Sequence, residues 1–188
     1  EYLYTIRHII GYHKPLLPEL KNYAYFVNDV GLFTCNNEVI KTITKINTSI
    51  YYSAAHGVNM SFKSRFIDEF KLLGATIRGF HNEQLLMLYY LTNHKLHTAV
   101  FNGGKVTHLE RDSISRPRNL KSIFMLSVEG TLLSYMVTRY GININLNKLK
   151  RYHEFIKIYS KIKKAIEIRE YETGLRLAIE AIETNYEQ

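Results

Sequence analysis

Apolar residues between positions 61 and 141 occur at helical spacing, then as a strand-like alternation, then at helical spacing again. The pattern predicts a helix that ends at Gly74, a short extended linker, and a second helix that Asn82 caps. The second helix is predicted to bury Leu85, Leu88 and Leu91. A turn at Thr92 and Asn93 should follow it.

A third, short helix is predicted from His94 to Phe101, with Leu96 and Val100 facing inward at positions i and i+4. Its other side chains are polar and should remain outside. Two glycines stop the segment immediately after residue 102.

A two-stranded ribbon with a basic tip is predicted next. Residues 105–110 and 122–126 are its strands, residues 111–121 form its loop, and residues 127–141 return to a helix. The order of helix, strand, two helices, ribbon and helix is the outline of a winged helix-turn-helix. In that fold a helix enters the major groove of DNA and a basic loop, the wing, lies on the phosphates.

The segments outside this unit are also predicted to be helical. Residues 20–30 should form a helix ending at Gly31, and residues 37–55 another, capped by Asn37. The apolar stripe of the helix over residues 37–55 would consist of Val39, Ile43, Ile46, Ile50 and Ala54. The spacing of apolar residues in the last segment, residues 145–188, predicts a helical hairpin. Its first helix is basic outside and its second is acidic outside.

Five segments, in order, resemble the winged helix-turn-helix of MarR- and PadR-type bacterial regulators and the replication-relaxation proteins of Gram-positive plasmids. They read RFIDEFKLLGA, NEQLLMLYYLT, KLHTAVFNGG, KVTHLERD with RPRNLK, and IFMLSVEGTLL. The resemblance covers about 80 of the 188 residues. It implies a double-stranded DNA-binding protein that regulates transcription, plasmid replication or conjugation.

Composition supports a folded, basic protein. The chain is 46% hydrophobic and 22% charged, with a net charge of +8. A surplus of that size favours a polyanionic partner, either nucleic acid or an acidic membrane surface. Cys35 is the only cysteine, which excludes an intramolecular disulfide and a cysteine-built zinc site and suggests a structural role. No apolar run is long enough to span a bilayer, and we expect a cytoplasmic protein.

Two groups of residues are candidates for DNA binding. Polar residues of the third helix could contact base edges and phosphates, and the cations of the wing could contact the backbone or minor groove. The recognition-helix candidates are His94, Lys95, His97, Thr98 and Asn102. The wing candidates are Arg111, Arg116, Arg118 and Lys121.

Two catalytic or metal-binding interpretations are less favoured. His94 and His97 have i,i+3 spacing, but a metal site would need His81 or Glu83 as a further ligand. The Glu69-x-Lys71 pattern occurs in metal-dependent nucleases, where it lies on a strand, whereas here it falls in a predicted helix. We therefore predict no enzyme, no metal and no cofactor.

The sequence thus predicts a mainly α protein with a small β-hairpin, built as a winged helix-turn-helix core with flanking helices. Residues 1–58 would form an N-terminal helical region, 59–142 the winged unit, and 143–188 a hairpin that mediates homodimerisation. The predicted partners are double-stranded DNA and a second copy, without a membrane. The alternative is a structural or interaction protein that uses the winged scaffold to dock on another macromolecule.

Overall fold

The computed structural model describes residues 14–54, 61, 82–101 and 131–186. In these ranges the chain is mainly helical and contains two small antiparallel sheets of two strands each. The coarse prediction of a mainly α protein with a small antiparallel ribbon is confirmed. The predicted helix before Gly74, the linker after it, and the predicted strands 105–110 and 122–126 fall outside the described residues.

The N-terminal region forms a hairpin where a helix was predicted. A 3-10 turn, Pro18–Asn22, precedes β1 (Tyr25–Val27) and β2 (Phe33–Cys35). Asn28 Oδ1 accepts hydrogen bonds from the backbone N–H groups of Val30 and Leu32, at 3.2 and 2.9 Å. The predicted helix over residues 20–30 is wrong because this buried Asn side chain satisfies the backbone locally and stabilises a tight turn instead.

The next helix is shorter than predicted. Helix α1 spans Asn37–Ile46, and its N-cap is Asn36, whose side chain accepts from the N–H groups of Glu38 and Val39. Asn47 has φ 48° and ends the helix in the left-handed conformation that Asn tolerates. The predicted stripe therefore does not continue to Ala54, and residues 50–52 form strand β3 (Ile50–Tyr52).

Helix α2 (Asn82–His94) is confirmed close to its predicted start, and it buries Leu85, Leu88 and Leu91 as expected. The predicted turn at residues 92–93 lies within its last helical turn.

The predicted third helix, residues 94–101, is wrong. Residues 95–98 are irregular, Lys95 has φ 55°, and Ala99–Phe101 form strand β4, which pairs antiparallel with β3. A short isolated helix is marginal, so a segment of this length follows whichever tertiary partner stabilises it. Here the partner is β3, and Leu96 and Val100 are only half-buried.

Three further helices complete the described fold. Residues 131–139 form α3, and Gly141, with φ +73°, follows it. Helices α4 (Leu146–Lys163) and α5 (Ile166–Tyr186) form the predicted hairpin. They run antiparallel, since Tyr152 meets Tyr171 and Lys150 meets Glu183. Helix α5 buries Leu175, Ala178, Ile179 and Ile182.

Two apolar clusters hold these elements together. One joins Val30 and Leu32, around the β1–β2 turn, to the α4–α5 hairpin, and the other joins β1, α2 and α3. Tyr135 and Ile144 pack against both clusters. Contacts thus cross both predicted region boundaries, and the β1–β2 hairpin contributes to each cluster. The division into three regions stays a prediction.

Candidate nucleic-acid interface

The segment predicted to recognise DNA lies between α2 and β4, where Tyr23 fixes its conformation. The Tyr23 hydroxyl accepts a hydrogen bond from the Thr98 N–H at 3.1 Å and lies 3.1 Å from His97 Nδ1. Thr98 Oγ1 donates to the carbonyl oxygen of Ser53 at 2.6 Å. The ends of β3 and β4 are therefore joined by side-chain hydrogen bonds as well as by the backbone hydrogen bonds of the sheet.

An aromatic cluster surrounds this contact. Tyr23 is fully buried, and burial raises the pKa of its phenol above the ordinary value. The Tyr52 ring stacks on Tyr23 with centroids 5.6 Å apart and lies 5.2 Å from the His97 ring. Because Tyr23 is anchored in the core, its ring gives Tyr52 and His97 a rigid support at the surface.

One face of the β3–β4 ribbon is apolar and exposed. The register places Ile50 opposite Phe101 and Tyr52 opposite Ala99, so these four side chains share a face. The exposed fractions of Ile50, Tyr52 and Phe101 are 58, 48 and 68%. Tyr51 and Val100, on the other face, are half-buried. We call the exposed set of Ile50, Tyr52, Ala99 and Phe101 the ribbon face.

The sequence around the ribbon face carries positive charge only. Residues 39–54 and 84–101 include Lys41, Lys45 and Lys95 together with two histidines, and neither range contains an Asp or Glu. A Glu stands immediately before each range, at positions 38 and 83, and Lys41 forms an ion pair with Glu38. The ribbon therefore lies in a stretch of chain whose formal charge favours an anionic partner.

The structure brings some of the predicted site residues together and separates others. Lys95 and His97 are exposed beside the ribbon, and half-buried Thr98 secures its base. His94 ends α2 and packs edge-on against Tyr89, with ring centroids 5.5 Å apart. The remaining predicted residues, Asn102, Arg111, Arg116, Arg118 and Lys121, fall outside the described part of the chain.

Sequence reasoning missed Tyr23, Tyr52 and Phe101. A local signal was present for β3, because Ile50, Tyr51 and Tyr52 are typical strand residues and follow an Asn-Thr-Ser turn sequence. Assigning them to the preceding helix concealed this surface. The contribution of Tyr23 had no local signal, since it contacts residues far away along the chain.

Three cations on the basic face predicted for α4 form ion pairs with acids of the same chain. Lys148 pairs with Asp29 at 3.0 Å, Lys150 with Glu183, and Lys157 with Glu154. Over residues 145–188 nine Lys and Arg face seven Glu. An open groove of about 560 Å³ between α4 and α5 mixes both signs, being lined by Lys150, Arg151, His153, Glu154, Arg176, Ile179, Glu180 and Glu183. This hairpin is a weaker candidate for a polyanion than the ribbon.

Metal-binding groups and membrane-spanning helices are both absent from the described ranges. These ranges contain no group of three or more His, Cys, Asp and Glu side chains that could hold a metal ion. None of their helices has the length and apolar character required to cross a membrane.

Comparison with known proteins gave no match: the chain matches no family model, no curated protein and no solved structure.

Proposed function

We propose that this chain binds double-stranded DNA through the β3–β4 ribbon and the segment that leads into β4. The observation that carries the proposal is that Lys95, His97 and Thr98, three of the five residues predicted to recognise DNA, meet at one end of this ribbon. The major groove accepts a two-stranded ribbon as well as a helix. The ribbon thus replaces the predicted recognition helix as the element that would enter the groove.

The charge distribution supports the same surface. The protein has a net charge of +8, and the 34 residues of ranges 39–54 and 84–101 contain only positive formal charge. Phosphate contacts from Lys side chains supply most of the affinity of such complexes and make it salt-dependent. The cations predicted for the wing, Arg111, Arg116, Arg118 and Lys121, would add phosphate contacts. Regulation of transcription, plasmid replication or conjugation would follow from this binding.

Salt-dependent binding of Lys95 variants tests the proposal. We expect wild-type affinity for a fluorescent duplex to fall steeply with salt, and Lys95→Ala to lower the slope of log K against log salt by about one unit. Lys161→Ala is the matched control, because it removes an exposed cation from α4. A duplex that does not bind at low salt refutes the function. An equal effect of both substitutions refutes this location for the interface.

A second exposed apolar surface bears on the homodimer predicted for the C-terminal hairpin. Phe155, Ile158 and Ile162 lie on one side of α4, with exposed fractions of 37, 60 and 69%. We propose that this stripe contributes to the homodimer predicted for the hairpin, since two copies are what a symmetric DNA site requires. Three side chains cover less than the roughly 800 Å² per partner of a standard interface. Light scattering of the Ile158→Lys variant against wild type tests whether the stripe holds a dimer.

A further inference from the structure

We propose that the ribbon face also binds single-stranded nucleic acid, with unpaired bases stacked on Tyr52 and Phe101. This inference rests on the proposed nucleic-acid binding, and it adds that the ligand of the ribbon face is an unpaired, single-stranded segment. Its starting point is that large apolar side chains on the ribbon face are exposed, and that the charged residues within residues 39–54 and 84–101 are all lysines. Single-strand binding sites combine these two features, aromatic platforms for the bases and positive charge for the backbone.

The register gives the two rings a suitable separation. Tyr52 is paired with Ala99 and Ile50 with Phe101, so Tyr52 and Phe101 are diagonal neighbours on one face. Diagonal neighbours in an antiparallel pair are about 7–8 Å apart. Each ring can then take its own base from successive nucleotides. Ala99 is small and leaves space beside the Tyr52 ring.

The platform is rigid where it meets the core. The Tyr52 ring is supported by buried Tyr23, and the Tyr52 carbonyl oxygen accepts a hydrogen bond from the Ala24 N–H at 2.9 Å. The conformation of Tyr52 is therefore largely fixed before a ligand binds. A preorganised ring loses less entropy on binding than a mobile one.

A lysine lies in the segment of chain that leads to each end of the ribbon. Lys45 lies in the last turn of α1, on the chain leading to the Ile50–Phe101 end, and Lys95 lies on the chain leading to the Tyr52–Ala99 end. Phosphates on either side of the stacked bases would each have a cation within the adjoining segment. This arrangement suits a single nucleic-acid strand that runs along the ribbon.

The ribbon face itself is suited to unpaired bases, whereas Lys95, His97 and Thr98 at one end of the ribbon are the residues proposed to contact a duplex. In a duplex the base faces are stacked inside and the grooves display base edges, which are read by hydrogen-bonding groups. Ile50 and Phe101 offer none, whereas an aromatic ring can stack on any base. A second copy docked on the same face would bring its own lysines against these ones, whereas the phosphates of a nucleic acid carry the opposite charge.

A tryptophan reporter tests the proposal directly, because the protein contains no Trp. In the Phe101→Trp variant we expect an oligothymidylate to quench the indole emission at saturation, since a stacked base lies against the ring. The matched control is Leu177→Trp, at an exposed apolar position on α5 outside both proposed surfaces, whose emission should not change. Unchanged emission of Phe101→Trp with bound oligonucleotide overturns the proposal. A change in emission on raising protein concentration alone also overturns it, in favour of self-association.

Affinity measurements separate this inference from the proposed function. Phe101→Ala should weaken binding of the oligothymidylate roughly 5- to 150-fold, the range expected for loss of one stacked base. The Tyr52→Phe variant should bind as tightly as wild type, because it keeps the ring. Circular dichroism confirms that the Phe101→Ala variant is folded. Wild-type protein that binds duplex but not the single strand overturns the inference alone, and protein that binds neither refutes both.

Discussion

Replacing Gly31 with alanine should destabilise the protein more than a glycine substitution usually does, because two separate costs apply at this position. Gly31 follows the buried turn at Asn28 and has φ +76°, a left-handed conformation that costs an L-residue about 1–2 kcal/mol. A Cβ added here would also lie 2.7 Å from the Ser134 Cα, which is backbone of α3. Relieving such an overlap typically costs a further ~1–3 kcal/mol.

The neighbouring contacts limit how far the backbone can move. Ser134 Oγ donates a 2.8 Å hydrogen bond to the Val30 carbonyl oxygen, so separating the hairpin from α3 would also weaken that buried bond. We therefore expect Gly31→Ala to lower the free energy of unfolding by about 2–5 kcal/mol in total. A chain of this size should lose about 2–4 °C in Tm for each kcal/mol.

Gly141 provides a matched control. It has φ +73°, but a Cβ added there meets nothing within 4 Å. Gly141→Ala should therefore show the conformational cost alone, about 1–2 kcal/mol. Urea denaturation of both variants, followed by circular dichroism, measures the difference. Equal destabilisation of the two variants would refute the argument that close approach to α3 requires glycine at position 31.

Two further predictions concern polar contacts. Tyr23→Phe removes the acceptor of the Thr98 N–H and should cost about 1–2 kcal/mol at neutral pH. Burial raises the pKa of Tyr23, so the stabilising effect of its neutral phenol is present below about pH 10 and declines as pH rises further. The difference in unfolding free energy between wild type and Tyr23→Phe should therefore narrow above about pH 10. Lys148→Met leaves the half-buried Asp29 carboxylate without the ammonium that lies 3.0 Å away, and should cost about 1–3 kcal/mol by urea denaturation. The double variant Asp29→Asn, Lys148→Met should recover part of that loss, and additive losses would contradict the coupling.

Local periodicity predicted the helices whose apolar residues recur at helical spacing. Helix α2 buries Leu85, Leu88 and Leu91, as the spacing of its apolar residues predicts. In the α4–α5 hairpin the agreement is partial, because Phe155 and Ile162 on the apolar side of α4 are exposed. The two wrong helices, over residues 20–30 and 94–101, lie where another interaction dominates. In the first, the Asn28 side chain bonds to the backbone of its own turn. In the second, β4 pairs with a strand from a distant part of the chain, which a window of sequence does not contain.

The residues of the candidate site likewise include some that the sequence identifies and some that only the folded structure identifies. Lys95, His97 and Thr98 were predicted to be exposed because they interrupt the apolar pattern; Lys95 and His97 are exposed, whereas Thr98 is half-buried and hydrogen-bonded to Ser53. Tyr23 was not identified, because a Tyr between Asn22 and Ala24 carries no sign of a contact with Thr98. Side chains that position a surface from a distance can be recognised only once the chain has folded.

The long-range contacts of the ribbon also have consequences for the order of folding. The Tyr23–Thr98 hydrogen bond joins residues 75 positions apart, and the Thr98–Ser53 bond joins residues 45 apart. Closing loops of that length is entropically unfavourable, and contacts of high sequence separation slow folding. Helix α2 and the α4–α5 hairpin can form from local contacts, whereas the ribbon face requires both long loops to close. On the ribosome, the surface proposed to bind nucleic acid cannot exist until Phe101 has been synthesised, so nascent chains that end earlier lack it.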